Sequence, residues 1–168
     1  MKKCNTELMK ELKAIQADLA ELIANAGNKS TVCYYEGEEE VERDFDYKKF
    51  VNEMSELRDQ ERHIKALLAY SNATTKLVGM EELTIGEGLL KLAQLNNQLR
   101  VIAGYKTRNR VVKSVKHATF EGDKDRVYVT EHLYDPTQVD ADIKSLQREI
   151  SHLQVAIDRT NLTNMIEC

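Results

Sequence analysis

No tryptophan and a single proline occur in the 168 residues, with only three phenylalanines and seven glycines. So little aromatic bulk argues against a thick globular core, and the scarcity of Pro and Gly removes the usual interrupters of long helices. Charge of one sign is also missing. The formal net charge of -4 is mild and does not by itself mark a nucleic-acid binder. The three cysteines, Cys4, Cys33 and Cys168, are far apart and form no Cys-x-x-Cys pair. That spacing argues against a zinc or redox motif and against a disulfide framework, so free, reduced thiols are expected. No apolar run approaches the about 20 residues that span a bilayer. The opening MKKCNTELMKELKAIQ starts basic but has no unbroken apolar stretch of the signal-peptide kind, so a cytoplasmic location is expected. Without export, Asn72-Ala73-Thr74 and Asn161-Leu162-Thr163 match the N-glycosylation pattern by coincidence. Nucleophile elbow, phosphate loop, His-Glu-x-x-His and dinucleotide fingerprint are all absent. The expectation is therefore a non-enzyme with no cofactor and no metal.

Charge and periodicity are what the chain has in quantity, with 31% Asp, Glu, Lys and Arg. Leu8, Leu12, Ile15, Leu19, Leu22 and Ala26 alternate steps of four and three, the seam of a coiled-coil helix that Gly27 is placed to end. A second seam runs through Phe50, Met54, Leu57, Ile64 and Leu68, with Glu61 at a seam position. A third runs through Val139, Ile143, Leu146, Ile150, Leu153 and Ile157, after the helix-starting pair Asp135-Pro136. Thr84-Ile85-Gly86-Glu87 reads as a capping box before a shorter stripe of Leu89, Leu92, Leu95, Leu99 and Ile102. Two segments break the pattern. Residues 27–46 are acidic with a β-prone piece, Thr31 to Tyr35, and residues 109–134 carry β-branched runs around Gly122-Asp123, the signal of a β-hairpin.

The expected fold is thus mainly α: one domain, 1–168, of long antiparallel coiled-coil helices with one inserted β-hairpin. Its helices fall at 6–26, 47–72, 84–103 and 136–163, with the acidic loop at 27–46.

The ends of two of these helices repeat. HIKALLAYSNATTKL, 63–77, aligns without a gap on HLQVAIDRTNLTNMI, 152–166, so that Asn72 falls on Asn161 and Thr74 on Thr163. Small hydroxyls and amides suit a place where a helix's last carbonyls lose their partners. Two arrangements follow: a pseudo-twofold across which Asn72 and Asn161 bond, or two ends that each cap themselves.

Taken with Leu83-Thr84-Ile85-Gly86-Glu87, Tyr105-Lys106-Thr107-Arg108 and the run from Leu146-Gln147 to Asn161, the Asn72-Ala73-Thr74 motif resembles the septicolysin-like family. These are largely uncharacterised bacterial helical proteins, and the resemblance covers about residues 50–168. Gly86 inside the helix start, and Leu162 where the family pattern has tryptophan, depart from it. The resemblance implies a helical fold and no defined activity.

Three clusters could carry function. His63 and His152 are equivalent in the repeat, but a metal site needs at least one further carboxylate or thiolate, and a structural role on the flank of each seam is the stronger reading. The acidic run Glu36, Glu38, Glu39, Glu40, Glu42, Asp44, Asp46 lacks the alternation and central Gly of a calcium loop and reads as a solvated loop. Lys106, Arg108, Arg110, Lys113 and Lys116 form a basic cluster that could grip phosphate or pair with the acidic run of a neighbouring subunit. The expected function is a self-associating, homo-oligomeric scaffold or interaction protein with no known protein partner. The alternative is a binder of phosphate-rich surfaces, nucleic acid or anionic membrane, through the basic hairpin.

Overall fold

The computed structural model describes residues 2–37, 45–106, 109–117 and 126–167. Four helices and six short strands occur among them. In chain order they are β1 (Lys2–Cys4), α1 (Asn5–Lys29), α2 (Tyr47–Thr74), β2 (Lys76–Leu77), β3 (Met80–Thr84), α3 (Ile85–Ala103), β4 (Val111–Lys116), β5 (Arg126–Glu131), α4 (Pro136–Thr163) and β6 (Met165–Glu167). The strands form three antiparallel two-stranded sheets, β1–β6, β2–β3 and β4–β5.

This corrects the expected fold class. The protein is mixed α/β, not a long coiled coil with one inserted hairpin, because strands join the helix ends as well. The cause is scale. Strands of two or three residues such as Lys76–Leu77 and Met165–Glu167 are too short to show an alternating pattern. One of them, β1, pairs with a strand from the opposite end of the sequence, Lys2 facing Glu167 and Cys4 facing Met165. Gly27 is corrected too. It lies inside α1, which runs on to Lys29 and is closed by the Ser30 N–H on the Ala26 carbonyl.

The chain gathers into two compact units, Met1–Gly86 with Asp158–Cys168, and Glu87–Ile157. In the first, α1 and α2 run antiparallel: Gln16 meets Glu61, and Leu22 and Asn25 line one groove with Glu53 and Leu57. Leu8, Ile15 and Ile64 form the core, with Leu12, Leu57, Leu67, Leu68 and Ile166 packed against it. Each such buried aliphatic contributes about 1.5–3 kcal/mol. Asp46 starts α2 by accepting the Lys49 N–H at 3.0 Å. The turn Val78-Gly79 joins β2 to β3, and Gly79 takes φ +83, a conformation open to glycine at little cost.

In the second unit α3 and most of α4 are also antiparallel, held by Lys91–Glu149 at 2.9 Å and Lys106–Asp140 at 4.0 Å. Ile143, Leu146, Leu153 and Leu95 are buried. Asp135 receives the Thr137 N–H at 2.9 Å as Pro136 opens α4. The β4–β5 hairpin pairs Val111 with Glu131 through Lys116 with Arg126, and every residue of both strands is exposed.

The order strand, helix, helix, strand therefore occurs twice, as β1-α1-α2-β2 and, with the β4–β5 hairpin inserted between its helices, as β3-α3-α4-β6. The repeat at the helix ends is part of a larger one. Cys4 through Leu22 align without a gap on Thr84 through Ile102, matching Glu7 with Glu87, Leu12 with Leu92, Ile15 with Leu95, Leu19 with Leu99 and Leu22 with Ile102. Burial follows the alignment: Asn5 and Ile85 are both buried, as are Ile15 and Leu95.

Candidate functional site

The repeated motif lies in a joint within the first unit, where α2 and α4 end and α1 and α3 begin. Each helix end is built alike. Thr74 Oγ1 donates to the Tyr70 carbonyl at 2.9 Å, and Thr163 Oγ1 to the Arg159 carbonyl at 2.9 Å. The Thr75 N–H closes α2 on the Ser71 carbonyl, and the Asn164 N–H closes α4 on the Thr160 carbonyl. The two threonines of the motif thus serve their own helices.

What crosses between the copies is other residues. Asn164 Nδ2 donates to Ser71 Oγ at 3.2 Å and to Thr75 Oγ1 at 3.1 Å. Asn164 and Thr75 are equivalent positions of the repeat, so each end touches its own counterpart there. Thr160, the counterpart of Ser71, accepts the Val78 N–H at 2.9 Å. Ser71 and Thr160 are both buried, and the bonds satisfy hydroxyls that burial would otherwise penalise.

Asn72 and Asn161 meet a helix start each, not one another. Asn161 Oδ1 accepts from Asn5 Nδ2 at 3.0 Å, and its carbonyl accepts from Thr6 Oγ1 at 3.3 Å. At the counterpart contact, a Cβ on Gly86 would lie 3.1 Å from the Asn72 carbonyl. The equivalent approaches are Thr6 on Asn161 and Gly86 on Asn72, which accounts for the glycine in the first turn of α3. Asn5 Oδ1 is buried with no hydrogen-bond partner among the described residues.

The basic cluster is divided. Arg108 lies outside the described residues. Lys106 sits just past α3, against Asp140. Arg110 pairs with Glu131 at 3.7 Å, and Lys116 lies 4.7 Å from the Tyr128 ring centre. Strand alternation puts Val111, Lys113, Val115, Val127, Val129 and Glu131 on one face and Val112, Lys116, Arg126 and Tyr128 on the other. Sequence reading missed Arg126 as a member of the cation group, and register supplies it.

Of the acidic run, 38–44 lies outside the described residues, Glu36 is exposed and Asp46 caps α2. A separate acidic groove between α1 and α2 escaped sequence reading. It is lined by Asp18, Glu21, Glu53 and Glu56 around Leu22 and Leu57. Helical spacing of Asp18 with Glu21 and of Glu53 with Glu56 is the signal that could have found it.

Glu61, at its apolar seam position, is buried and accepts from Gln16 at 3.1 Å, Arg58 at 3.1 Å and Lys65 at 2.7 Å. Lys65 first, then Gln16 and Arg58, lower its carboxyl to about 2. Glu7, bonded by the Cys4 N–H at 2.8 Å, is lowered as well. His63 and His152 are exposed on their helices. Among the described residues, no three His, Cys, Asp or Glu side chains are grouped to hold a metal ion. None of the described helices is long and apolar enough to cross a membrane.

Fold and site together define an internally duplicated protein whose helix ends meet beside short two-stranded sheets. The chain is similar in fold to the crystal structure of a functionally unknown conserved protein from Corynebacterium diphtheriae, with a TM-score of 0.65 at 15% identity over 99% of this chain and 100% of that one. No family model matches the sequence, and no curated protein does. None of these comparisons bears on the septicolysin-like resemblance.

Proposed function

We propose that this is a non-catalytic interaction protein of the cytoplasm that assembles with copies of itself. The observation that supports the reading is the β4–β5 hairpin. Val111, Val115, Val127 and Val129 are 42% to 61% exposed on one face of it. Among the described residues nothing covers the hairpin, and a two-stranded hairpin without a layer against it is marginal in water, so an apolar face of this kind gains stability when a partner covers it. The septicolysin-like resemblance belongs to the same proposal. Sedimentation over a dilution series, at low and high salt, tests the reading. A discrete oligomer that loosens with salt is expected, and a monomer at every concentration overturns it.

A second reading draws on Arg110, Lys113, Lys116 and Arg126, four cations on one exposed hairpin. They suit a phosphate-rich surface, nucleic acid or anionic membrane. Retention on heparin or anionic vesicles that falls with salt, and is lost on charge reversal without change of mass, selects this reading over assembly.

A further inference from the structure

We infer that the cationic face of the β4–β5 hairpin, with Lys116, Arg126 and Tyr128, is a contact surface for single-stranded nucleic acid. The inference rests on the phosphate-binding reading and names both the face and the polymer.

Register divides the ribbon. Val112 pairs with Thr130, Ser114 with Tyr128 and Lys116 with Arg126, and paired side chains share a face. That face holds two cations, three hydroxyls and one valine, while Val111, Val115, Val127 and Val129 lie on the other. Like charges directly opposite one another across two strands repel. Neither Lys116 nor Arg126 has an ion-pair partner among the described residues. The one carboxylate of the two strands, Glu131, lies on the opposite face and takes Arg110. An anion between the two cations relieves their repulsion. Phosphate suits the place, since its oxygens accept from ammonium, guanidinium and hydroxyl together.

Tyr128 decides the kind of phosphate. Its ring is 53% exposed, with the Lys116 ammonium 4.7 Å from the ring centre. An open ring beside two cations matches a chain that carries an unpaired base next to each phosphate. The base stacks on the ring in place of the ammonium, and the ammonium turns to the phosphate. A duplex offers base edges in its grooves and keeps its base faces stacked, so it leaves the ring unused. A bilayer also fits poorly. A ribbon lying on its valines turns Lys116 and Arg126 to water, and one lying on its cations turns the valines there. Because the valines point the other way, a second copy covering them leaves the cationic face open.

The test uses the full chain and a labelled single-stranded oligonucleotide, with the matching duplex and phosphatidylserine vesicles as further probes. Binding to the single strand is expected to be the tightest of the three and to weaken as salt rises. Lys116→Glu is expected to weaken it about tenfold. Lys113→Glu makes the same change of charge on the valine face and is expected to leave binding nearly unchanged at physiological salt. Tyr128→Ala is expected to cost about tenfold through the lost stack. The chain has no tryptophan, so Tyr128→Trp puts a single fluorophore at the site, and its quenching on binding reads the stacked base directly. Equal losses from Lys113→Glu and Lys116→Glu, an unquenched indole, or duplex bound as tightly as the single strand each overturn the assignment. If vesicles alone retain the chain, the phosphate reading stands and this contact falls. If none of the three probes binds, both fall.

Discussion

Replacing Asn164 by Ala separates an interlocked joint from two independent helix caps. Asn164 Nδ2 makes two hydrogen bonds to the other copy of the motif, at 3.2 Å to Ser71 Oγ and 3.1 Å to Thr75 Oγ1. A typical intramolecular hydrogen bond contributes about 1 kcal/mol net, so losing both costs about 2 kcal/mol. Ser71 is buried, which keeps water from replacing the lost donor. For a chain of this length each kcal/mol moves the melting temperature by about 2–4 °C, giving a fall of about 4–8 °C. The control is Thr163→Val. The Thr163 hydroxyl is exposed and bonds only a carbonyl of its own helix, so its loss is expected to stay within about 0.5 kcal/mol. Thermal melts of the two variants, followed by helical circular dichroism, decide the matter. Equal effects would refute the interlocked joint, because the conspicuous Thr of the motif would then matter as much as the bridging Asn.

Glu61 gives a pH prediction. Its carboxyl titrates at about 2 in the folded chain, below its ordinary 4.5, so its stabilisation is full above the ordinary value and is lost as pH falls through about 2. Glu61→Gln is expected to melt below the wild type near neutral pH, with the gap closing between those two values; a gap independent of pH would contradict this. Gly79→Ala puts a Cβ at φ +83 in the β2–β3 turn and is expected to cost about 1–2 kcal/mol, read from denaturant unfolding. Because nothing lies within 4 Å of that Cβ, a neutral result would show that the turn relaxes to another conformation.

Much of the helical layout was open to reading because it is periodic. Leu8, Ile15 and Leu19 bury as their spacing requires, as do Ile143, Leu146, Leu153 and Ile157. The small sheets were not legible, since two or three residues carry no period and their partners lie far away in sequence. The repeat was visible only where both copies keep a polar signature. Its other half, Cys4–Leu22 on Thr84–Ile102, was masked by Asn5 standing where the second copy has Ile85 and Leu8 where it has Gly88. The joint's bridging residue was also obscure. Asn164 sits where the first copy has Thr75, so alignment drew attention to the matching Asn72 and Asn161, while the contact is made by the mismatched pair. Charge runs located the basic hairpin. The spacing of Asp18 with Glu21 and of Glu53 with Glu56 marks an acidic stripe on each helix, but that the two stripes line one groove follows only from the pairing of α1 with α2.

The most direct test of the central claim is the mass of the unmodified chain in solution, by light scattering behind size-exclusion chromatography at low and high salt. Assembly through the hairpin predicts a defined multiple of 19.3 kDa at low salt that shifts toward the single-chain mass as salt rises. A mass of 19.3 kDa under every condition would contradict it.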